Sequence, residues 1–115
     1  LAKYKVLFHL DESAMSKWKL VLTNIGNLLA DFGEDAEIEL LANAEGIGIV
    51  YKSPNPFIKK IEDLAVRGVR FMACGNTMRH FNLTQEFLLE CAQVVPSGVG
   101  EIVRRQAEGW MYIRP

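Results

Sequence analysis

The segment Phe71-Met72-Ala73-Cys74-Gly75-Asn76-Thr77-Met78 concentrates the chemistry this chain can do. An apolar run suited to a strand (Val69, Phe71, Met72, Ala73) ends on a cysteine. A glycine and an asparagine follow, and Thr77-Met78-Arg79-His80-Phe81 suits a helix. That order is strand, tight turn and helix start, with a sulfur atom at the turn. A thiol so placed faces unpaired backbone N–H groups at the positive end of a helix dipole, and both favour the nucleophilic thiolate. Cys74 is therefore the candidate catalytic residue. The competing reading is a small core side chain closing an apolar strand, a frequent fate of free cysteine.

Few other side chains compete. His9 closes an apolar first strand, where it would lower the Cys74 pKa, steer an anionic sulfur, or simply sit hydrogen-bonded and partly buried. Asn76 and Thr77 are suited to capping the helix after Cys74 through their side chains, and the same groups, with Gly75, suit an anion or a persulfide. His80 reads as a surface residue. Cys91, behind Phe87 and Leu88, reads as core. A zinc site would need Cys74, Cys91, His9 and His80 to converge, and no paired short spacing supports that, so no metal is expected. Gly46-x-Gly48 lacks the third glycine of a dinucleotide fingerprint, and no cofactor is expected.

The elements that must position these residues follow from periodicity. Residues 3–9 read as a first strand, with Ser13 or Ser16 capping the helix behind it. Trp18, Val21, Leu22, Ile25, Leu28, Leu29 and Phe32 form a stripe of helical period that Gly33 ends. Residues 36–42 are a second strand in which Glu37 and Glu39 alternate with apolar residues. Residues 45–51 suit a short helix or a short strand equally. Asn55-Pro56 marks a helix start, Phe57, Ile58, Ile61, Leu64 and Ala65 its apolar face, and Gly68 its stop. The third strand, 69–74, carries the cysteine. A short helix is expected from Thr84 through Glu90, then a strand at 93–95. Pro96-Ser97-Gly98 opens a last helix with Val99, Ile102 and Val103 inward, Gly109 closes it, and 110–113 is the last strand.

Strands alternating with helices imply an α/β fold, a mainly parallel five-stranded sheet with both faces covered. Such sheets bind ligands beyond the carboxyl ends of their strands, which selects His9, Asn43, Cys74 and Ser97.

Composition excludes several classes. The 115 residues suit one domain, 1–115, and are 50% hydrophobic and 23% charged with a formal net charge of −1. Lys and Arg are scattered, so no nucleic-acid partner is expected. No stretch approaches the roughly 20 apolar residues that would span a bilayer, so no membrane association is expected. Two distant cysteines form neither a disulfide framework nor a redox pair and fit a reducing cytoplasm. The chain opens on Leu1, with no charged-then-apolar leader, consistent with a processed or trimmed start. Apolar residues around Phe81, Phe87 and Trp110 suit an interface between subunits.

With these residues placed, the chain resembles the DsrE/DsrF-like family of small α/β proteins. The resemblance rests on the opening strand with Phe8-His9, the turn Cys74-Gly75-Asn76-Thr77-Met78, and the tail Val95-Pro96-Ser97-Gly98-Val99 followed by Gln106-Ala107-Glu108-Gly109-Trp110. It implies a three-layer, flavodoxin-like α/β/α fold. It also implies sulfur accepted as a persulfide on Cys74, sulfur donor and acceptor proteins as partners, and a homo-oligomer, a trimer or hexamer, with the cysteine near a subunit interface. Dedicated relay subunits follow their cysteine with a small-residue helix, whereas Gly-Asn-Thr-Met follows here, which places the chain in the family's broader branch. The expected function is that of a sulfur carrier or sulfurtransferase. The alternatives are a non-catalytic module binding a small ligand or nucleotide, or a structural subunit of a larger assembly.

Overall fold

Five parallel strands, β1 (Tyr4–Leu10), β2 (Ala36–Ala42), β3 (Arg70–Cys74), β4 (Ala92–Val95) and β5 (Met111–Ile113), pair in the order β4-β3-β2-β1-β5. They belong to a computed structural model that describes residues 2–115; Leu1 lies outside it. The helices are α1 (Met15–Phe32), α2 (Ile58–Val66), α3 (Gly75–His80) and α4 (Gly98–Ala107). Among the described residues no helix is long and apolar enough to cross a membrane.

Strand order decides which face each helix covers. The steps from β1 to β2 and from β2 to β3 run in one direction, so right-handed crossovers place α1 and α2 on the same face. The step from β4 to β5 runs back across the sheet to the far side of β1. That reversal puts α4 on the opposite face, against β2, β3 and β5.

The two faces have different cores. On the first, Val6, Phe8, Leu10, Ile38, Leu40, Ala42, Phe71 and Ala73 pack against Trp18, Val21, Leu22, Ile25 and Leu29 of α1 and Ile61 and Leu64 of α2. Burying each large aliphatic side chain contributes about 1.5–3 kcal/mol, enough for this face to anchor the sheet. The second face has a small apolar cluster of Leu7, Leu41, Met72, Val95 and Trp110, with Ile102 partly buried beside it.

Several expected details differ. Neither Ser13 nor Ser16 caps α1, which starts after Ala14 without a side-chain cap; the entry loop is held instead by the Trp18 indole N–H donating to Glu12 O at 2.7 Å. Asn55 does not cap α2, which begins at Ile58. Its amide donates to Ile49 O at 2.7 Å and Tyr51 O at 2.9 Å, so it fastens the loop rather than the helix. Residues Ala44–Val50 form 3₁₀ turns. The helix expected through Glu90 is one 3₁₀ turn, Gln85–Phe87, because the Leu89 N–H is drawn to Val50 O at 2.8 Å.

The largest correction concerns α4. Val99 and Val103, expected inward, are 63% and 61% exposed, and Trp110, expected at the surface, is buried. The inward positions are Gly98 and Glu101, with Ile102 and Arg105 partly buried. Helical spacing connects these four as well as it connects the valines. The sheet beneath supplies Glu39 and Arg70, so α4 turns its polar side down.

Candidate functional site

Cys74 ends β3 with an extended backbone, and its own sulfur caps α3 by accepting the Thr77 N–H at 3.4 Å. A second donor comes from across the sheet edge: the Gly98 N–H, at the first residue of α4, lies 3.1 Å from Sγ. The Thr77 hydroxyl accepts the Ala44 N–H at 2.9 Å, which leaves its own proton free to point at the sulfur. Cys74 is only 4% exposed. Burial works to raise its pKa, but hydrogen bonds from the Thr77 hydroxyl and the N–H groups of Thr77, Gly98 and Asn76 outweigh it and bring the thiol below its ordinary value.

Two glycines make this enclosure possible. A Cβ on Gly75 would lie 2.9 Å from Val95 O and 3.1 Å from Pro96 O, so only glycine lets the chain after β4 pass over the turn. A Cβ on Gly98 would lie 3.0 Å from Leu41 Cδ1, 3.1 Å from Cys74 Cβ and 3.3 Å from Asn43 Cβ. Larger residues at either position would lift the Ser97-Gly98 segment off the sulfur.

The residues selected from the sequence come together unevenly. Thr77 and the Asn76 N–H reach Sγ, whereas Gly75 lies against the Val95 and Pro96 carbonyls rather than donating to the sulfur. The Asn76 side chain is exposed and takes a hydrogen bond from Arg79, so neither it nor the Thr77 side chain is the helix cap. The Ser97 hydroxyl caps α4, accepting the Gly100 N–H at 3.0 Å, and its role is to set the helix that delivers Gly98. Asn43 abuts Gly98 on one side and meets His9 on the other. His9 makes no hydrogen bond to the sulfur: Nε2 lies 2.9 Å from Asn43 Oδ1 and Nδ1 lies 2.6 Å from the Tyr112 hydroxyl. Because an amide oxygen only accepts, the neutral ring carries its proton on Nε2, and Tyr112 donates to Nδ1.

Cys91 is half-buried at the edge of the core rather than within it. Burial, with Glu62 nearby, pushes its thiol up. The two cysteines therefore have opposite characters, the more buried one being the more acidic. A cavity of about 400 Å³ lies on the first face, lined by Trp18, Tyr51 and Phe81 among others, and does not reach Cys74. Among the described residues no group of three or more His, Cys, Asp and Glu side chains is placed to hold a metal ion.

Tyr112 and a polar cluster beneath α4 escaped the sequence reading. Glu39 is fully buried, its Oε1 accepting from Arg105 Nε at 3.2 Å and lying 3.7 Å from Arg70. The same Nε–H also reaches Glu101 Oε2 at 3.1 Å. Arg70 pairs with Glu37 at 2.9 Å and Arg105 with Glu108 at 3.0 Å. Both guanidinium groups lie over the Trp110 ring, 5.6 and 4.7 Å from its centroid. The available signal was Glu39 itself, a carboxylate between Ile38 and Leu40 in a run otherwise read as buried, with no partner in its neighbourhood of the sequence.

The parallel sheet and its helices, with a cysteine at the carboxyl edge, define a small α/β protein with a strand-end thiol site. The chain belongs to the DsrE/DsrF-like family, whose model matches residues 4–115. It is similar to MTH1491, a protein of unknown function from Methanobacterium thermoautotrophicum, with 43% sequence identity and a TM-score of 0.93 over 97% of this chain and 99% of that one. No curated protein matches it. The family and the parallel α/β fold expected from the sequence are thus both found.

Proposed function

We propose that the protein carries sulfur as a persulfide on Cys74, in the manner of a sulfur-relay component or sulfurtransferase. Family membership supports sulfur relay in general. The observation that carries the finer reading is the set of donors converging on Sγ, two of them the N–H groups of Thr77 and Gly98 at 3.4 and 3.1 Å. The Cys74 thiolate attacks the terminal sulfur of a donor persulfide, R–S–SH. A new S–S bond forms at Cys74, the donor's S–S bond breaks, and R–S⁻ leaves with the bonding pair, so no separate oxidant is needed. Transfer onward is the same step with Cys74 as the leaving thiolate, favoured because its pKa is low. Contrary to the accessible thiol a carrier calls for, the sulfur lies beneath Ser97-Gly98, so loading requires that segment to lift. Donor and acceptor proteins are the partners this chemistry needs, the free thiols fit a reducing cytoplasm, and self-association as a trimer or hexamer is part of the same reading.

Intact-protein mass spectrometry after exposure to a small-molecule persulfide tests the reading. The native chain gains one sulfur atom, Cys91→Ala keeps the gain and Cys74→Ala loses it. Equal uptake in the native chain and Cys74→Ala, or no uptake at all, overturns it. A second reading is favoured by the 4% exposure of Cys74, in which the sulfur serves only as the cap of α3. It predicts no uptake and a loss of stability in Cys74→Ala.

A further inference from the structure

α4 has two attachments on its inward side. Its first residue, Gly98, donates to the Cys74 sulfur, and one and two turns later Glu101 and Arg105 dock on Glu39. The second attachment is short of positive charge. Among the described residues, the carboxylates of Glu37, Glu39, Glu101 and Glu108 form their ion pairs with the three guanidiniums of Arg70, Arg104 and Arg105. On β1 the register partner of Glu39 is the apolar Leu7; Lys5, the register partner of Glu37, projects from the same face but is exposed and forms no ion pair with the cluster among the described residues. Glu39 Oε2 is buried and has no donor of its own. One acid proton resolves both problems: it evens the charge and gives Oε2 a hydrogen bond to the neighbouring Glu101 carboxylate.

We propose that the Glu39–Glu101 carboxyl pair, acting through Arg105, is a proton-dependent latch that seats α4 and so controls access to Cys74. With the proton in place, α4 stays down and Gly98 covers the sulfur. When it leaves, two buried carboxylates compete for a single Arg105 N–H, α4 loosens, and the Ser97-Gly98 segment lifts. Glu39, Glu101 and Arg105 are positioning residues and touch no reacting atom. This deepens the persulfide reading and rests on it for its purpose, since it names what regulates that site. The charge environment agrees. Burial first, then the hydrogen bond and negative charge of Glu101, push the Glu39 carboxyl up to about 8. Burial opposes the ionised form of Glu101 as well, but its bond with Glu39 and the charge of Arg105 bring it below its ordinary value. The two groups hold one proton between them.

The test compares the native chain with Glu39→Gln, whose amide donates to Glu101 at every pH and whose oxygen still accepts from Arg105. The readout is the Gly98 amide hydrogen-exchange rate by NMR. Its ratio between the two proteins cancels the intrinsic pH dependence of exchange. Well below the pair's titration the ratio is near one. Well above it, the native chain exchanges roughly fivefold faster or more, the factor by which modest destabilisation multiplies an open population. Iodoacetamide alkylation of Cys74 in a Cys91→Ala background, normalised to the thiolate fraction, follows the same course. Glu101→Gln, which also removes the shared proton, flattens both profiles and serves if Glu39→Gln does not fold. A ratio that does not change with pH overturns the latch. Failure of the persulfide reading looks different: no sulfur uptake, with the pH-dependent ratio intact.

Discussion

The Cys74 sulfur is acidified by directed donors rather than by water, and each donor is a single group that a substitution can remove. Thr77 contributes a hydroxyl as well as its N–H, and the hydroxyl oxygen also holds Ala44 in place at 2.9 Å. Thr77→Val keeps the shape and the backbone donor but removes the O–H. A hydrogen bond to a charged group is worth about 1.5–3 kcal/mol, so the thiolate population at a fixed pH below the titration should fall roughly tenfold or more. A thiolate absorbance titration in a Cys91→Ala background reads this directly. An unchanged titration would remove the hydroxyl from the account.

At the scale of elements, α4 decides both the environment of the sulfur and part of the pH response of the fold. Across the interval from 4.5, the ordinary carboxyl value, to about 8, Glu39 is protonated in the folded chain and ionised in the unfolded one. The folded state then holds the extra proton, so the Glu39 contribution to stability is fully present at the low end of this interval, falls as pH rises through it, and levels off above it. The loss should be roughly 2 kcal/mol or more between the two ends. In Glu39→Gln the decline should largely vanish. Urea denaturation at a series of pH values measures both. A native chain equally stable at both ends would contradict the buried acid.

For the whole molecule, the direction of the last crossover leaves a consequence on the surface. Because α4 turns its polar side inward, Val99 and Val103 form an apolar stripe one turn apart on its outer side, and β5 carries exposed Met111 and Ile113 at the sheet edge. Apolar groups so arranged suit contact with another copy of the chain. Light scattering should give a mass of three chains or a multiple rather than the 13.0 kDa of one. Val103→Lys should lower that mass while leaving the melting temperature of the subunit fold nearly unchanged. A native mass of one chain would end the proposal of self-association.

The local elements were legible in the sequence because local pattern makes them. The aliphatic run at 36–42 is a strand, the run expected at 69–74 is a strand from Arg70, and the stripe from Trp18 to Phe32 is a helix whose phase was read correctly. Cys74 followed by glycine could be recognised as a strand-to-helix turn without knowledge of any distant residue. The phase of α4 could not. Its two candidate stripes have equal helical spacing, and the choice between them depends on Glu39 and Arg70, which reach the helix only once the sheet has formed. His9 was expected as a possible partner of the sulfur, and strand register gave it to Tyr112 and Asn43 instead. The Gly98 donor comes from 24 residues beyond Cys74. Its arrival depends on the reversal of strand order after β4, which carries α4 to the face where Cys74 points. Sequence thus determined where a thiol and a helix start meet, since both are set by neighbours along the chain. The tertiary structure alone decided what encloses that thiol, because the enclosing groups are joined only by strand register and crossover direction.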